Sequence, residues 1–405
     1  MTDRRNTVRA GTVVLIAGAV MLSLNMGVRQ TYGLFLEPMT EALPVSHTSF
    51  GLAIAVQNLL WGLLTPLCGA LADRFGTGRL LVAGGIVYVA GLLVMALVQT
   101  PLGLHLGAGI LTGIAVSATG FPLVLSAVAR AAPPEKRSTW LGIATAGGSM
   151  GQFVLLPATQ ATIAGFDWSF ALIGLALVTA LMVPLAAPLR GRLAAPQAGD
   201  LTLGQAFAEA RAHHGYLLLN AGFFVCGFHV AFVATHFPAY VASQGLPAWI
   251  GAAALGVIGF FNIIGTFLFG WLGGRYRKKW VLTFIYLARA VAIGGLLVLP
   301  ISSWTIWFFA VSFGTLWLGT VPLTSGLVGQ IFGPRYLATL FGIVMFSHQI
   351  GAFFGAWLGG ISFDLTGSYT VIWLAALVLS LISAALHAPI EDSSLRAEQP
   401  VPARQ

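Results

Sequence analysis

The sequence predicts an all-α polytopic membrane protein, with twelve transmembrane helices in two six-helix halves. Three observations carry that reading. Of 405 residues, 57% are apolar and only 8% are charged, a balance foreign to soluble domains. Twelve apolar runs are each long enough to cross roughly 30 Å of hydrocarbon as a helix. The second half of the chain also repeats features of the first at an offset of about 200 residues.

The first span, about 11–36, follows the basic stretch TDRRNTVR. No small-residue cleavage signal ends it, so it reads as a retained helix rather than a signal peptide. The second span, about 47–72, carries Gln57, Asn58 and Cys68. Spans at about 80–98 and 103–129 follow, the latter interrupted by Thr119-Gly-Phe-Pro122. Spans at about 138–160, with Gln152, and 168–188 complete an amino-terminal half over 1–188. Residues 189–215 form a polar linker, where Thr202 and Gln205 fit a capping box that opens a short amphipathic helix. The carboxyl-terminal half, 216–390, has spans at about 216–240, 248–272, 280–299, 304–328, 338–362 and 369–388, and a tail covers 391–405. Gly319-Thr-Val-Pro322 interrupts its fourth span as TGFP does in the first half. Proline removes a helix hydrogen bond, so these paired interruptions read as bends, either moving or static. Cys68 and Cys226 both lie in apolar segments, which argues against a disulfide framework or a thiolate metal site.

Basic residues set the direction of insertion. If the spans alternate, 18 of the 20 lysines and arginines fall on one face, and the opposite loops have none. Both termini are therefore expected in the cytoplasm, with the chain multi-pass in an inner membrane of bacterial type. The net charge of +8 is then the signature of the anionic inner leaflet, and membrane lipids account for it without nucleic acid.

The repeat has particular anchors: Pro38 and Pro238, Pro122 and Pro322, Gly142 and Gly342, and Gly151 and Gly351. The loop after span 2, Gly69-x-x-x-Asp73-Arg74-x-Gly76-x-Gly-Arg79, is echoed after span 8 by GWLGGRYRKK (270–279). A carboxylate and two guanidiniums at a helix end can pair in one state and meet water in the other. This loop resembles the signature loop of the major facilitator superfamily, and the likeness extends over essentially the whole chain. It implies the major facilitator fold, a parallel duplication around a central site, and a gating role for Asp73, Arg74, Arg79 and, in the second copy, Arg275. Gly274 replaces the acidic residue there, so the second gate departs from the pattern.

A finer resemblance is carried by GVRQTYGLFLEP (27–38), CGFHVAFVATHFP (226–238) and HQIGAFFGAWLGG (348–360). These look like bacterial members of the monocarboxylate carrier and oxalate:formate antiporter branch, which implies an organic anion as substrate. The departures are Gln30, where animal carriers of that branch have lysine, and Asn262 with Thr266, where they have an Asp/Arg pair. The positive charge for an anion must then come from elsewhere.

Of all the charged residues, only Arg29 and Arg289 fall well inside spans. An arginine at a helix centre costs about 2.5–3.5 kcal/mol on insertion scales, so a function or a partner is expected. Arg29 shares a helical stripe with Asn25 and Tyr32, and its planar fork suits a carboxylate. The alternative is a guanidinium that snorkels to the far interface about 12 Å away. Arg289 belongs to span 9, peripheral in the resembling family, so a structural or gating partner is expected for it. His229 is the counterpart of Arg29 in the repeat, with His236 two turns on. Either could help bind an anion or carry a proton, and a neutral packing role is the alternative. Asn262, His348 and Gln349 complete the expected substrate-binding set, beside Gln57, Asn58, Gln152 and Thr320; Trp317 and Phe346 read as wall or core.

No acidic residue stands at mid-membrane, which argues against a cationic substrate. No nucleotide loop, metal triplet or nucleophile constellation is present, so neither an enzyme nor a cofactor is expected. The sequence thus predicts a secondary carrier of a small organic anion, a monocarboxylate, by alternating access with proton coupling or anion exchange, and with a complete pathway in one monomer. A carrier of a neutral solute, inorganic oxyanion or drug is the alternative, and a non-transporting receptor or scaffold a remote one.

Overall fold

The computed structural model describes residues 2–133, 136–191, 203–332 and 337–393. Among them every regular element is helical, and twelve helices are long and apolar enough to span a membrane. They are α1 (Gly11–Ala42), α2 (His47–Ala72), α3 (Thr77–Leu97), α4 (Pro101–Ala131), α5 (Thr139–Gly165) and α6 (Trp168–Leu185). The second six are α7 (His214–Ser243), α8 (Ala248–Arg275), α9 (Lys278–Val298), α10 (Ser303–Phe332), α11 (Thr339–Thr366) and α12 (Thr370–His387). The linker contains a short helix at Leu203–Ala212; Thr202, and with it the expected capping box, lies outside the described residues.

Lipid offers no hydrophobic drive between helices, so close backbone approach must hold them together. Gly151 and Gly351 show how the duplicated sequence does this. A Cβ on Gly151 of α5 would stand 1.9 Å from the carbonyl oxygen of Ser23 in α1. One on Gly351 of α11 would stand 1.9 Å from the carbonyl of Phe224 in α7. The same contact is thus built once in each half.

Four spans are interrupted, among them α6, whose helix breaks at Ala180 and Leu181. In α1 the regular helix ends at Gln30, turns through a 3-10 segment at Tyr32–Phe35 and resumes at Leu36–Ala42. The apolar run ends sooner than the helix, because Glu37 and Glu41 lie on the last turns. Arg29 is 13 residues from the end of the span and eight from Glu37, the first charged residue beyond it. In α4 a π turn at His105–Leu111 precedes a break at Gly120, and in α10 the chain leaves the helix between Thr315 and Thr320.

The halves meet along two seams, α2 with α11 and α5 with α8. Toward the face opposite the chain's ends, Gly51 packs on the Ala356 carbonyl and Gly360 on that of His47. There Gly33 of α1 likewise meets the Ala234 carbonyl of α7. Nearer the terminus-bearing face, Gly69, Gly142, Gly270 and Gly342 have open space where a Cβ would go. The two halves are closed at the far face and diverge toward the near one.

Candidate transport site

Arg29 stands on the last turn of α1 before its 3-10 distortion, half-buried beside α2. Its guanidinium donates to Asn58 Oδ1 and lies over the Trp61 ring, 4.8 Å from the centroid. Asn58 is oriented for this, since its Nδ2 donates to the Ile54 carbonyl at 2.8 Å. Among the described residues no carboxylate lies within 4.0 Å of Arg29, and its Nε is buried with no hydrogen-bond partner. One turn of α2 further, Gly62 lets Gln349 of α11 pack against the backbone, where a Cβ would come within 2.8 Å. Gln349 is buried there with its Oε1 unpartnered, so a free acceptor stands at the seam between the halves.

Asn25 and Tyr32 share the helical stripe, but the structure turns them inward. Asn25 donates to Thr119 Oγ1, and the Tyr32 hydroxyl meets Thr112 Oγ1 at 2.8 Å. Both are fully enclosed and fasten α1 to α4 on either side of Arg29. The spacing alone could not distinguish these directions, since residues three and four apart fan across one broad face.

His229 does not mirror Arg29. Its Nε2 donates to the Ala376 carbonyl of α12 at 2.9 Å, away from the seams. His236 donates to the Ala356 carbonyl of α11 at 2.7 Å. Both are buried, each with its ring N–H committed to backbone. His348, also buried, packs on Phe223 of α7 with ring centroids 5.1 Å apart.

The second seam has its own polar thread. Asn262 of α8 donates to Ser149 of α5 at 2.9 Å and accepts from the Leu318 N–H at 3.0 Å. Nearby, Gln30 donates to Gln152, which donates to the Leu255 carbonyl of α8 at 2.9 Å.

Of the expected gating residues, Arg74, Arg79 and Arg275 are exposed on the near face. Arg74 lies over Phe75 and Arg275 over Trp271, neither in an ion pair among the described residues. The Asp73 side chain lies outside the described residues. Beside them, the Arg277 guanidinium holds the Asp392 carboxyl below its ordinary range.

The far face has a latch that sequence reading missed. His47, first residue of α2, stands between Glu37 of α1 and Asp364 of α11, 3.3 Å from each. Asp364 also accepts from the backbone N–H groups of His47 and Thr48, at 3.2 and 2.8 Å, and so caps α2 from the other half. The available signal was an acidic residue at the end of an apolar span opposite a histidine that opens another. Trp61 was also passed over, as one aromatic among many.

Comparison with known proteins agrees with this architecture. A profile of the Major Facilitator Superfamily matches residues 16–356. An uncharacterized MFS-type transporter of Bacillus subtilis, YcxA, is 24% identical over 88% of this chain and 90% of its own. Monocarboxylate transporter 11 of Homo sapiens is 27% identical over 91% of this chain and 81% of its own. Among solved structures, a bacterial homolog of the human lysosomal transporter Spinster, inward-facing and unoccupied, superposes with a TM-score of 0.77. It shares 17% identity, over 93% of this chain and 96% of its own. The nucleoside transporter NupG gives 0.77 at 16% identity, over 93% and 98% of the two chains. With the twelve-helix fold and a family match across most of its length, the chain belongs to the Major Facilitator Superfamily, as a membrane transporter and not an enzyme.

Proposed function

We propose that this transporter carries a small organic anion, a monocarboxylate, by alternating access, with Arg29 as the charge partner. The observation that carries the reading is a guanidinium deep in α1 with no carboxylate within 4.0 Å among the described residues. A cation held at that depth calls for an anion, and a fork offering parallel N–H groups suits a carboxylate. Asn58 and Trp61 hold the guanidinium in place, and Gln349 supplies a polar group from the opposite half. The monocarboxylate transporters among the relatives, at 24–27% identity, support the same substrate class.

In this reading the basic near face is cytoplasmic, the membrane is an inner membrane, and the open cleft faces the cell interior. Coupling runs through a proton that travels on the substrate or through exchange for a second anion, since the His229 and His236 N–H groups are engaged elsewhere. One chain suffices for the pathway.

Radiotracer uptake into proteoliposomes tests the proposal, with a panel of short mono- and dicarboxylates, a proton gradient or counter-loaded anion, and Arg29→Gln beside wild type. Expected is monocarboxylate uptake that falls at least about tenfold in the folded variant, the scale of one charge-assisted contact. Absence of carboxylate flux, or flux indifferent to the substitution, overturns it and points to a neutral or exported solute.

A further inference from the structure

Arg289 is fully buried, reaches inward from peripheral α9, and serves a different end from Arg29. Its Nε and one terminal nitrogen both donate to the Leu316 carbonyl, at 3.2 and 2.7 Å, and that nitrogen also donates to the Trp317 carbonyl. Tyr286 and Phe313 flank the guanidinium, at 5.2 and 5.7 Å from their ring centroids.

These two carbonyls belong to the break in α10. In a continuous helix the Trp317 carbonyl would accept from the N–H of Val321, but Val321 donates to Leu318 instead, at 3.0 Å. Pro322 has no N–H to give. Nothing in hydrocarbon can replace the missing donors, so such a break requires a donor from the protein itself. Arg289 is that donor. The same break presents the Leu318 N–H to Asn262, which reaches Ser149 in the other half.

The amino-terminal half lacks this arrangement. The residue 201 positions before Arg289 is Tyr88, also buried, which donates to the Asn25 carbonyl on α1 at 3.1 Å rather than to α4. The break in α4 is a single glycine, Gly120, followed by Pro122. Trp61 Nε1 stands 3.6 Å from where a Cβ on Gly120 would lie, which puts that break beside the stacked Arg29.

We infer that Arg289 is a positioning residue: it clamps α10 in its broken form and fixes Asn262 at the seam, so that Gly120 of α4 is the bend that yields during transport. The two interruptions look alike in sequence, yet one is a strut and the other a hinge. Straightening α10 would take both carbonyls from a buried guanidinium and leave it only the Cys226 sulfur of α7, 3.7 Å away, whereas bending at Gly120 disturbs no charge bond of this kind.

Hydrogen exchange of the purified protein in lipid nanodiscs, read by mass spectrometry, tests the assignment without any substrate. In wild type, peptides covering 314–325 are expected to exchange more slowly than those covering 116–125. Arg289→Gln is expected to speed exchange at 314–325 on the order of tenfold and to leave 116–125 unchanged. Should that variant not fold, Arg289→Lys carries the test, since it keeps the charge but offers one nitrogen in place of the fork. Faster exchange confined to 314–325 supports the clamp. Equal protection of the two breaks in wild type, or exchange at 314–325 unmoved in the folded variant, overturns it.

Discussion

At the scale of the residue, the two arginines inside the membrane separate by what they touch. Arg289 has backbone carbonyls around it and is enclosed; Arg29 has one side-chain oxygen and a ring face, and remains half-open. Each keeps one unpartnered nitrogen, but that of Arg289 is sealed inside the protein, so only Arg29 is open to a ligand. Asn58→Asp would therefore place a permanent carboxylate where the substrate's is proposed to sit. Uptake in that variant is expected to vanish while the melting temperature holds or rises, whereas Asn58→Ala is expected to lose affinity but still transport. Uptake and thermal denaturation of the same preparations check both, and an active Asn58→Asp carrier would refute the role given to Arg29. Arg29 itself was legible in the sequence, because a charge in an apolar run is conspicuous. The duties of Asn25, Tyr32 and His229 were not, since the directions in which they point depend on α4 and α12, and helical spacing cannot name a neighbour.

At the scale of the element, all twelve spans could be read from apolar length, to within a few residues except at the far end of α1. There the helix continues through a 3-10 turn and past two glutamates, which a hydropathy run treats as a boundary. The glycine matches of the repeat were legible as matches, but their roles needed coordinates. Gly151 and Gly351 are tight crossings, whereas Gly142 and Gly342, matched just as well in sequence, face open space. Gly151→Leu or Gly351→Leu is thus expected to lose about 1–3 kcal/mol or more of stability through overpacking. Gly142→Ala should melt within experimental error of wild type. Equal melting temperatures for Gly151→Leu and Gly142→Ala would contradict the crossing assigned to Gly151.

At the scale of the whole molecule, the halves diverge toward the near face and are joined at the far one. Glu37, His47 and Asp364 join the halves there, with helix-capping hydrogen bonds that cross between them. Asp364→Asn removes the charge that both His47 and the α2 amino terminus contact, and should shift the resting population toward opening at that face. A cysteine at the partly buried Ala234, whose backbone carbonyl packs against Gly33 at the far closure, gives the readout with a membrane-impermeant maleimide. Labelling is expected to rise about tenfold for each 1.4 kcal/mol the latch loses, and an unchanged rate would show that the apolar seam closes this face unaided. The latch escaped sequence reading because its three members come from three distant spans, and no local pattern joins them.

That Arg29 has no carboxylate partner among the described residues has an electrical consequence. If a monovalent anion fills the site, the loaded carrier crosses its occluded state with that charge neutralised, while the empty carrier must move a bare guanidinium. Membrane potential, at about 2.3 kcal/mol per charge per 100 mV, then acts on the empty return rather than on the loaded passage. Exchange of one anion for another would use only the neutralised form and be indifferent to voltage, whereas a substrate that brings its own proton leaves the loaded and empty carriers equally charged, so its net accumulation would follow the proton gradient.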